Sequence, residues 1–248
     1  MQKQILKNTG IALFWLLVWQ LAAMVLDNDI LLVGPFEMMR VLISMMREGA
    51  FYLAVGSSLL RIGSGFLLAA CAGIIFGAAA SFHPFISSLL MPPVALMKSI
   101  PVASFVILAI IWLGGTQNLS MFVSFVVVFP MVYLSTISGI GSTDRKLLEM
   151  ADIFRVSRYR KWYYIYFPAL LPYLLNCFRT ALAMAWKSGV AAELIGQPRG
   201  TIGGNLYQAK IFLDTPALFA WTFTIIVVSF LFEKIVLKLI EGILMRRD

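Results

Sequence analysis

The chain has 248 residues, of which 60% are hydrophobic and 13% charged, with a formal net charge of +8. Soluble domains carry about 25% charged residues, so this composition excludes an ordinary soluble fold and indicates a protein surrounded by lipid. The basic residues lie between apolar runs, as in the positive-inside pattern of membrane proteins, which argues against nucleic-acid binding.

Six segments are long and apolar enough to be predicted as membrane spans: 10–26, 57–81, 86–114 (interrupted), 118–140, 170–195 and 216–240. The first follows Lys3 and Lys7 without a cleavage pattern, so we expect a retained helix and not a signal peptide. No polar linker divides the chain, and we therefore expect one all-α transmembrane domain over residues 1–248.

The distribution of basic residues predicts the orientation of these spans. With the N-terminus placed inside, thirteen Lys and Arg residues fall on the inner side and five on the outer side. Both termini and a loop at about 141–169 are then expected in the cytoplasm. The single histidine, His83, cannot build a metal site alone, and we expect no metal.

The segment 34–48, "GPFEMMRVLISMMRE", is predicted to be an amphipathic helix rather than a span. Pro35 suits a first helical position after Gly34. The apolar residues recur at i, i+3, i+4 and i+7: Met39, Leu42, Ile43 and Met46. The helix either lies at the outer membrane interface or packs on the other spans, and the pattern does not separate these two placements.

The second and third spans carry small residues and prolines at informative positions. In the second, four small residues with i, i+4 spacing form a ridge that another helix can approach closely: Gly65, Ala69, Gly73 and Gly77. In the third, Pro92, Pro93 and Pro101 each remove a backbone donor, so we expect a kinked or broken helix that is shielded by protein.

The polar segment 141–169 is predicted to form two short helices. Ser142 or Thr143 provides an N-cap, with Asp144 in the first turn, and an apolar stripe follows at Leu147, Leu148, Ala151 and Phe154. The second helix is expected from Arg158 to Phe167, ending before Pro168. Exposed helices with apolar faces indicate a docking surface, whereas the plainer alternative is a solvated basic loop.

The stretch "LLEMADIFRVSRYRKWYYIYFPALLPYLL" also resembles the EAA loop of ABC-importer permeases. Glu149, Met150 and Ala151 match the opening of that motif, and Pro168 matches its end. Arg155 stands at the family glycine position, which predicts that the two helices join without the tight turn that glycine permits. "LLVGPFEMM", "VGSSLLRIGSGFLLAACAGIIFG", "MKSIPVASFVILAIIWLGG" and "ALAMAWKSGVAAELIG" are similar to other segments of the subgroup for nitrate, sulfonates, taurine and pyrimidine precursors.

This resemblance implies a six-span permease of a type I (MetI-like) ABC importer in a bacterial inner membrane. Two copies would form the substrate path, an extracytoplasmic substrate-binding protein would deliver the cargo, and a separate ATPase would bind ATP and Mg²⁺. The chain itself would then be non-catalytic and hold no cofactor, in keeping with its lack of a Gly-rich phosphate loop. The residues expected to contact the ATPase are Leu148, Glu149, Met150, Ala151, Phe154, Arg155 and Pro168.

Charged residues inside the spans indicate where cargo passes, because a charge at mid-bilayer costs about 2.5–3.5 kcal/mol on insertion scales. Lys187 is the first candidate for the path and favours an anionic cargo, the alternative being a structural ion pair. Glu193 is expected in a structural role near the outer side, and Lys98 near an inner end that lets it snorkel. Weaker path candidates are Trp186, Ser188, Ser124 and Glu193 itself.

Three other functions remain as alternatives at this stage. One is a permease for another small nutrient such as a pyrimidine precursor, and the second is a self-sufficient secondary carrier or channel. An intramembrane enzyme is the third, but the spans contain no paired aspartates, no HExxH motif and no nucleophile–base pair.

Overall fold

The computed structural model describes residues 2–26, 28 and 30–244, and within these ranges every regular element is a helix. The prediction of an all-α fold is therefore confirmed. A π-helical turn, Trp162–Tyr166, joins α8 to α9. The eleven α-helices in chain order are α1 (Gln2–Leu26), α2 (Pro35–Met45), α3 (Gly49–Phe82), α4 (Pro84–Ser99), α5 (Val102–Leu113), α6 (Leu119–Gly141), α7 (Arg145–Ile153), α8 (Arg158–Lys161), α9 (Phe167–Gly196), α10 (Ile202–Ile211) and α11 (Thr215–Leu244).

Each of the six predicted spans coincides with a long helix or a helix pair. By length and apolar composition, Thr9–Leu26, α3 and α6 qualify as single spans, and α4 with α5 qualifies as one broken span. The other two predicted spans lie in α9 and α11, which have 30 residues each but are not among the helices that meet this criterion, so these two spans stay a prediction. Such a helix is about 45 Å long at 1.5 Å per residue, more than the apolar layer of a membrane requires.

The third span is broken between α4 and α5, as its prolines predicted. The two helices meet at an angle of 113°, and Pro101 is the residue immediately before α5. Pro92 and Pro93, in contrast, lie inside α4 without ending it. Among the described residues, α4 buries only Val94 and α5 buries Val106 and Ala109, so the part of the chain that the structure describes provides little of the expected shielding for α4.

Two short helices, α2 and α10, lie outside the predicted spans. Helix α2 starts at Pro35 as predicted; it buries Met38 and Leu42 and leaves Met39 and Ile43 exposed, so the choice between the membrane interface and packing on other spans stays open. Helix α10 was not predicted. Its N-cap, Thr201, accepts a hydrogen bond from the Gly204 amide at 3.1 Å, a signal that was present in the sequence.

The helices form two compact units. The first contains residues up to Ser57 together with Gln197–Val228, and in it the Phe51 ring stacks on the Trp221 ring at 5.2 Å. The second contains Ser58–Gly196 and the chain after Val228. The expectation of a single domain stays a prediction, and so does that of two cytoplasmic termini, since Arg246 and Arg247 and the side chains of Lys3 and Lys7 lie outside the described residues.

The small-residue ridge of α3 lies against α6 in the second unit. Ala69 is fully buried. A Cβ atom added to Gly65 would overlap the Met121 carbonyl, one on Gly73 would lie 2.8 Å from the Val132 Cβ atom, and one on Gly77 would lie 2.7 Å from the Thr136 Cβ atom. The neighbour that approaches this ridge is thus a helix of the same chain.

Candidate functional site

Helix α7 presents apolar side chains on an exposed surface. Met150 is 49% exposed, Ile153 79% and Phe154 75%, whereas Ala151 points inward and is 2% exposed. Glu149 is exposed beside them and makes no hydrogen bond or ion pair within the described part of the chain. We call this region the α7 surface: Leu147, Glu149, Met150, Ile153 and Phe154.

The N-cap of α7 is Asp144, one residue later than expected. Its Oδ1 atom accepts a hydrogen bond from the Lys146 amide at 2.9 Å. Ser142 and Thr143 were the predicted caps, but their hydroxyls donate to carbonyls at the end of α6 instead. An aspartate here also complements the positive end of the helix dipole. Asp144 therefore both caps the helix, a role expected of Ser142 or Thr143, and supplies the negative charge near its start.

The turn after α7 keeps the tight geometry that was expected to be lost. Arg155 adopts φ = +51°, in the left-handed region. Its amide bonds to the Asp152 carbonyl at 3.0 Å, and the Val156 amide bonds to the Ala151 carbonyl at 2.8 Å. These two bonds form a Schellman motif, whose left-handed position is normally glycine. The prediction that the helices join differently at Arg155 is therefore wrong.

The segment after this turn is continuous with α9, so the predicted end before Pro168 is also wrong. Helix α8 leads into the π-helical turn, where the Phe167 amide bonds to the carbonyl of Trp162, five residues earlier. Pro168 is exposed and lies directly after the π-helical turn, as the second residue of α9. An ion pair between Asp152 and Lys161 links α7 to α8.

Four of the five predicted path residues are buried within the helix packing. Trp186 and Ser188 are almost fully buried, and Ser188 donates a hydrogen bond to the Met184 carbonyl in its own helix. Ser124 is fully buried and donates to the Ala185 carbonyl, which joins α6 to α9. These side chains present no surface to a pathway in this conformation, and helical periodicity alone could not show which face of α9 points inward.

Glu193 is fully buried, as expected for a structural residue. Its Oε2 atom accepts a hydrogen bond of 2.7 Å from the Ser58 hydroxyl. This hydrogen bond connects α3 to α9, and a typical buried hydrogen bond contributes about 0.5–1.5 kcal/mol.

Lys187 lies on the exposed face of α9. It makes no ion pair with any residue that the structure describes, so the structural alternative has no support. The same face carries other exposed side chains at helical spacing: Tyr173, Asn176, Thr180 and Met184.

A groove missed by the sequence analysis runs beside this face. It encloses about 470 Å³ next to the break between α4 and α5, and Lys98 is its one charged lining residue. The remaining lining comes from both sides of the break, from α6 and from α9: Met97, Ile100, Val102, Val127, Pro130, Met131, Leu134, Cys177 and Met184. Lys98 is exposed at this groove, and its expected snorkelling to the interface stays a prediction.

The described residues contain no group of three or more His, Cys, Asp or Glu side chains that could hold a metal ion. The candidate site therefore consists of two parts: the α7 surface, and the exposed face of α9 that carries Lys187 together with the groove beside it.

Comparison with known proteins gives the family. Residues 69–247 match the family of binding-protein-dependent transport system inner membrane components, and the chain belongs to this family. It is 28% identical to a probable ABC transporter permease of Brucella melitensis over 206 residues (83% of each chain). It is 27% identical to the taurine transport system permease of Escherichia coli (87% and 80% covered), and 28% identical to a putative aliphatic sulfonates transport permease of Bacillus subtilis (92% and 83% covered).

Solved structures show the same fold. The chain superimposes with a TM-score of 0.62 on a chain of a bacterial ABC transporter involved in the import of alginate, at 13% identity, with 100% and 97% of the two chains covered. It superimposes with a TM-score of 0.50 on a chain of the MetNI methionine ABC transporter, at 17% identity, with 80% and 96% covered. The protein is therefore a membrane permease of an ABC importer, a transport component and not a catalyst, and the secondary-carrier alternative is not favoured.

Proposed function

We propose that this permease is driven by a separate ATPase that docks on the α7 surface. The observation that carries the proposal is the exposure of Met150, Ile153 and Phe154 around an unpaired Glu149. Apolar side chains at this density, rimmed by charge, are typical of a protein interface. ATP and Mg²⁺ are bound by that partner, and movement reaches the spans through α8, the π-helical turn and α9, which form one continuous helical path.

The partner set follows from the family. Family members work in binding-protein-dependent transport systems, so an extracytoplasmic binding protein delivers the cargo. A second copy of this chain supplies the cover that α4 lacks, since Phe85, Leu89 and Met91 of that proline-containing helix are exposed. The thirteen inner basic residues favour a bacterial inner membrane placement with both termini in the cytoplasm.

We further propose a small anionic cargo. Two relatives are named for taurine and aliphatic sulfonates, which both carry an anionic sulfonate group. In this chain, Lys187 on the exposed face of α9 and Lys98 at the groove have no acidic partner among the described residues. A lysine that faces a water-lined path between two copies avoids the cost of contact with lipid and attracts an anion.

The ATPase proposal is tested by co-purification from the membrane. The permease is co-expressed with the ATPase subunit of the same transporter, as wild type, as Glu149→Arg and as Glu37→Arg. Glu37 is also exposed but lies on α2, so its substitution makes the same change of charge away from the α7 surface.

We expect wild type and Glu37→Arg to retain the ATPase in detergent and Glu149→Arg to lose at least about tenfold of it, because truncating or reversing an interface charge pair costs about 2–5 kcal/mol. Equal retention by all three proteins, with equal amounts in the membrane, would rule out the α7 surface as the docking site.

A further inference from the structure

A second cavity, of about 580 Å³, opens where the end of α3 meets the polar segment. Its lining comes from the turn between α3 and α4, from α8 and from the π-helical turn: Phe82, His83, Arg158, Lys161, Trp162 and Tyr166. We call it the basic cleft. It includes no residue of the α7 surface, so the proposed ATPase contact does not account for it.

One wall of the basic cleft is a cluster of three aromatic rings. The Phe82 ring packs edge-on against Tyr166 at 5.2 Å and against Trp162 at 6.1 Å, and Trp162 and Tyr166 are 6.1 Å apart. Tryptophan and tyrosine are enriched where a membrane meets water, because their rings are apolar and their tips polar. The wall therefore has the composition of the interfacial layer.

The other side of the basic cleft is positively charged. Lys161 is paired with Asp152. Arg158 and His83, in contrast, make no side-chain hydrogen bond or ion pair within the described part of the chain. No acidic residue lines the cavity. An arginine fork with unused donors is suited to a phosphate oxygen pair.

The position of the basic cleft along the helices fits a membrane surface. Helix α3 ends at Phe82 after 34 residues, and α4 begins at Pro84. The turn between them and the segment 158–166 are both predicted on the inner side, and the structure brings them together at one cavity. Apolar rings and basic groups thus meet at the level where the spans leave the lipid, and anionic headgroups are concentrated on the cytoplasmic leaflet.

We propose that the basic cleft binds the phosphate headgroup of an anionic phospholipid. Arg158 holds the phosphate, His83 and Lys161 add polar and positive groups at the rim, and the aromatic wall contacts the glycerol and the first acyl carbons. The lipid then bridges the α3–α4 turn and the helical path that leads into α9.

The proposal is tested by lipid titration of the purified full-length permease, with bound lipids counted by native mass spectrometry. The ligands are phosphatidylglycerol and phosphatidylcholine, and the proteins are wild type, Arg158→Gln, Arg158→Lys and Arg160→Gln. Arg160 is the matched control, since it lies in the same short helix and is exposed but does not line the cavity. Thermal unfolding midpoints verify that all four proteins are folded.

We expect wild type to bind phosphatidylglycerol more tightly than phosphatidylcholine, and Arg158→Gln to weaken phosphatidylglycerol binding about fivefold, which corresponds to one basic contact at a membrane surface. Arg158→Lys keeps the charge but loses the bidentate fork, so it should weaken binding less than Arg158→Gln does. Arg160→Gln should change binding less than about twofold. Equal binding of the two lipids, or equal losses in Arg158→Gln and Arg160→Gln, would overturn the proposal.

Two further outcomes would assign the basic cleft to another ligand and also overturn it. Displacement of phosphatidylglycerol by millimolar inorganic phosphate would identify a site for free phosphate. Loss of phosphatidylglycerol binding when the ATPase is bound to wild type would show that the ATPase, and not a lipid, occupies the basic cleft in the complex.

Discussion

At the scale of single residues, Arg155 adopts a left-handed backbone conformation that disfavours any residue with a Cβ atom. The φ of +51° places the Cβ atom close to backbone, a strain that glycine does not have. We predict that Arg155→Gly raises the free energy of unfolding by about 1 kcal/mol.

The measurement is the thermal unfolding midpoint in detergent, compared with Arg160→Gly. Arg160 lies inside α8 with ordinary helical geometry, so its replacement by glycine should lower the midpoint. A lower midpoint for Arg155→Gly as well would show that the arginine side chain contributes more than the backbone strain costs.

The residue scale is also where sequence-based prediction was least complete. Residue type alone singled out Glu149 and Lys187 by their charge and the ridge from Gly65 to Gly77 by its small side chains. The close packing of the ridge is confirmed, and the roles of the two charged residues stay predictions. Residue type could not show that Trp186 is buried while its neighbour Lys187 is exposed, because that depends on which neighbouring helices cover α9.

At the scale of helices, the contact between α3 and α6 depends on the absence of a side chain at Gly73. An added methyl group would lie 2.8 Å from the Val132 Cβ atom and 3.0 Å from the Tyr133 amide nitrogen, and backbone cannot move aside easily. We predict that Gly73→Ala destabilises the protein by about 1–3 kcal/mol, the cost of overpacking.

Gly56→Ala is the matched control in the same helix, because a Cβ atom at Gly56 would have nothing within 4 Å. It should leave stability unchanged or raise it by about 0.5–1 kcal/mol through helix propensity. Both variants are compared by unfolding midpoint in the same detergent. Equal effects would mean that the ridge is not a close-packed contact.

Helix boundaries show why periodicity predicted the spans but not the connections. The apolar segments all coincide with long helices or a helix pair, although by length and apolar composition only Thr9–Leu26, α3, α6 and the broken pair α4–α5 qualify as spans among the described residues. The predicted end before Pro168 was wrong because a π-helical turn joins α8 to α9. A π-helical turn differs from an α-helical turn only in its hydrogen bonds, which join residues five apart and not four apart. The same residue types occur in both, so amino-acid composition does not predict where a π-helical turn lies.

At the scale of the whole molecule, the fold and the family both identify an importer permease. The next prediction concerns which residue contacts the charge of the cargo. If Lys187 faces the path, Lys187→Gln should lower ATP-dependent uptake of the anionic cargo proposed above, with a labelled aliphatic sulfonate as the probe, about tenfold or more, consistent with losing a charged contact worth about 1.5–3 kcal/mol. Lys187→Arg keeps the charge and should retain most uptake. Unchanged uptake by Lys187→Gln would remove this residue from the path.

The most direct measurement of the central claim is uptake into proteoliposomes that contain the permease, with and without the ATPase subunit, in the presence of the binding protein of the same transporter. The account predicts that labelled cargo accumulates only when the ATPase and ATP are both present, and that Glu149→Arg abolishes this accumulation while Glu37→Arg does not. Accumulation by the permease alone, driven by an ion gradient without nucleotide, would contradict it and establish a secondary carrier.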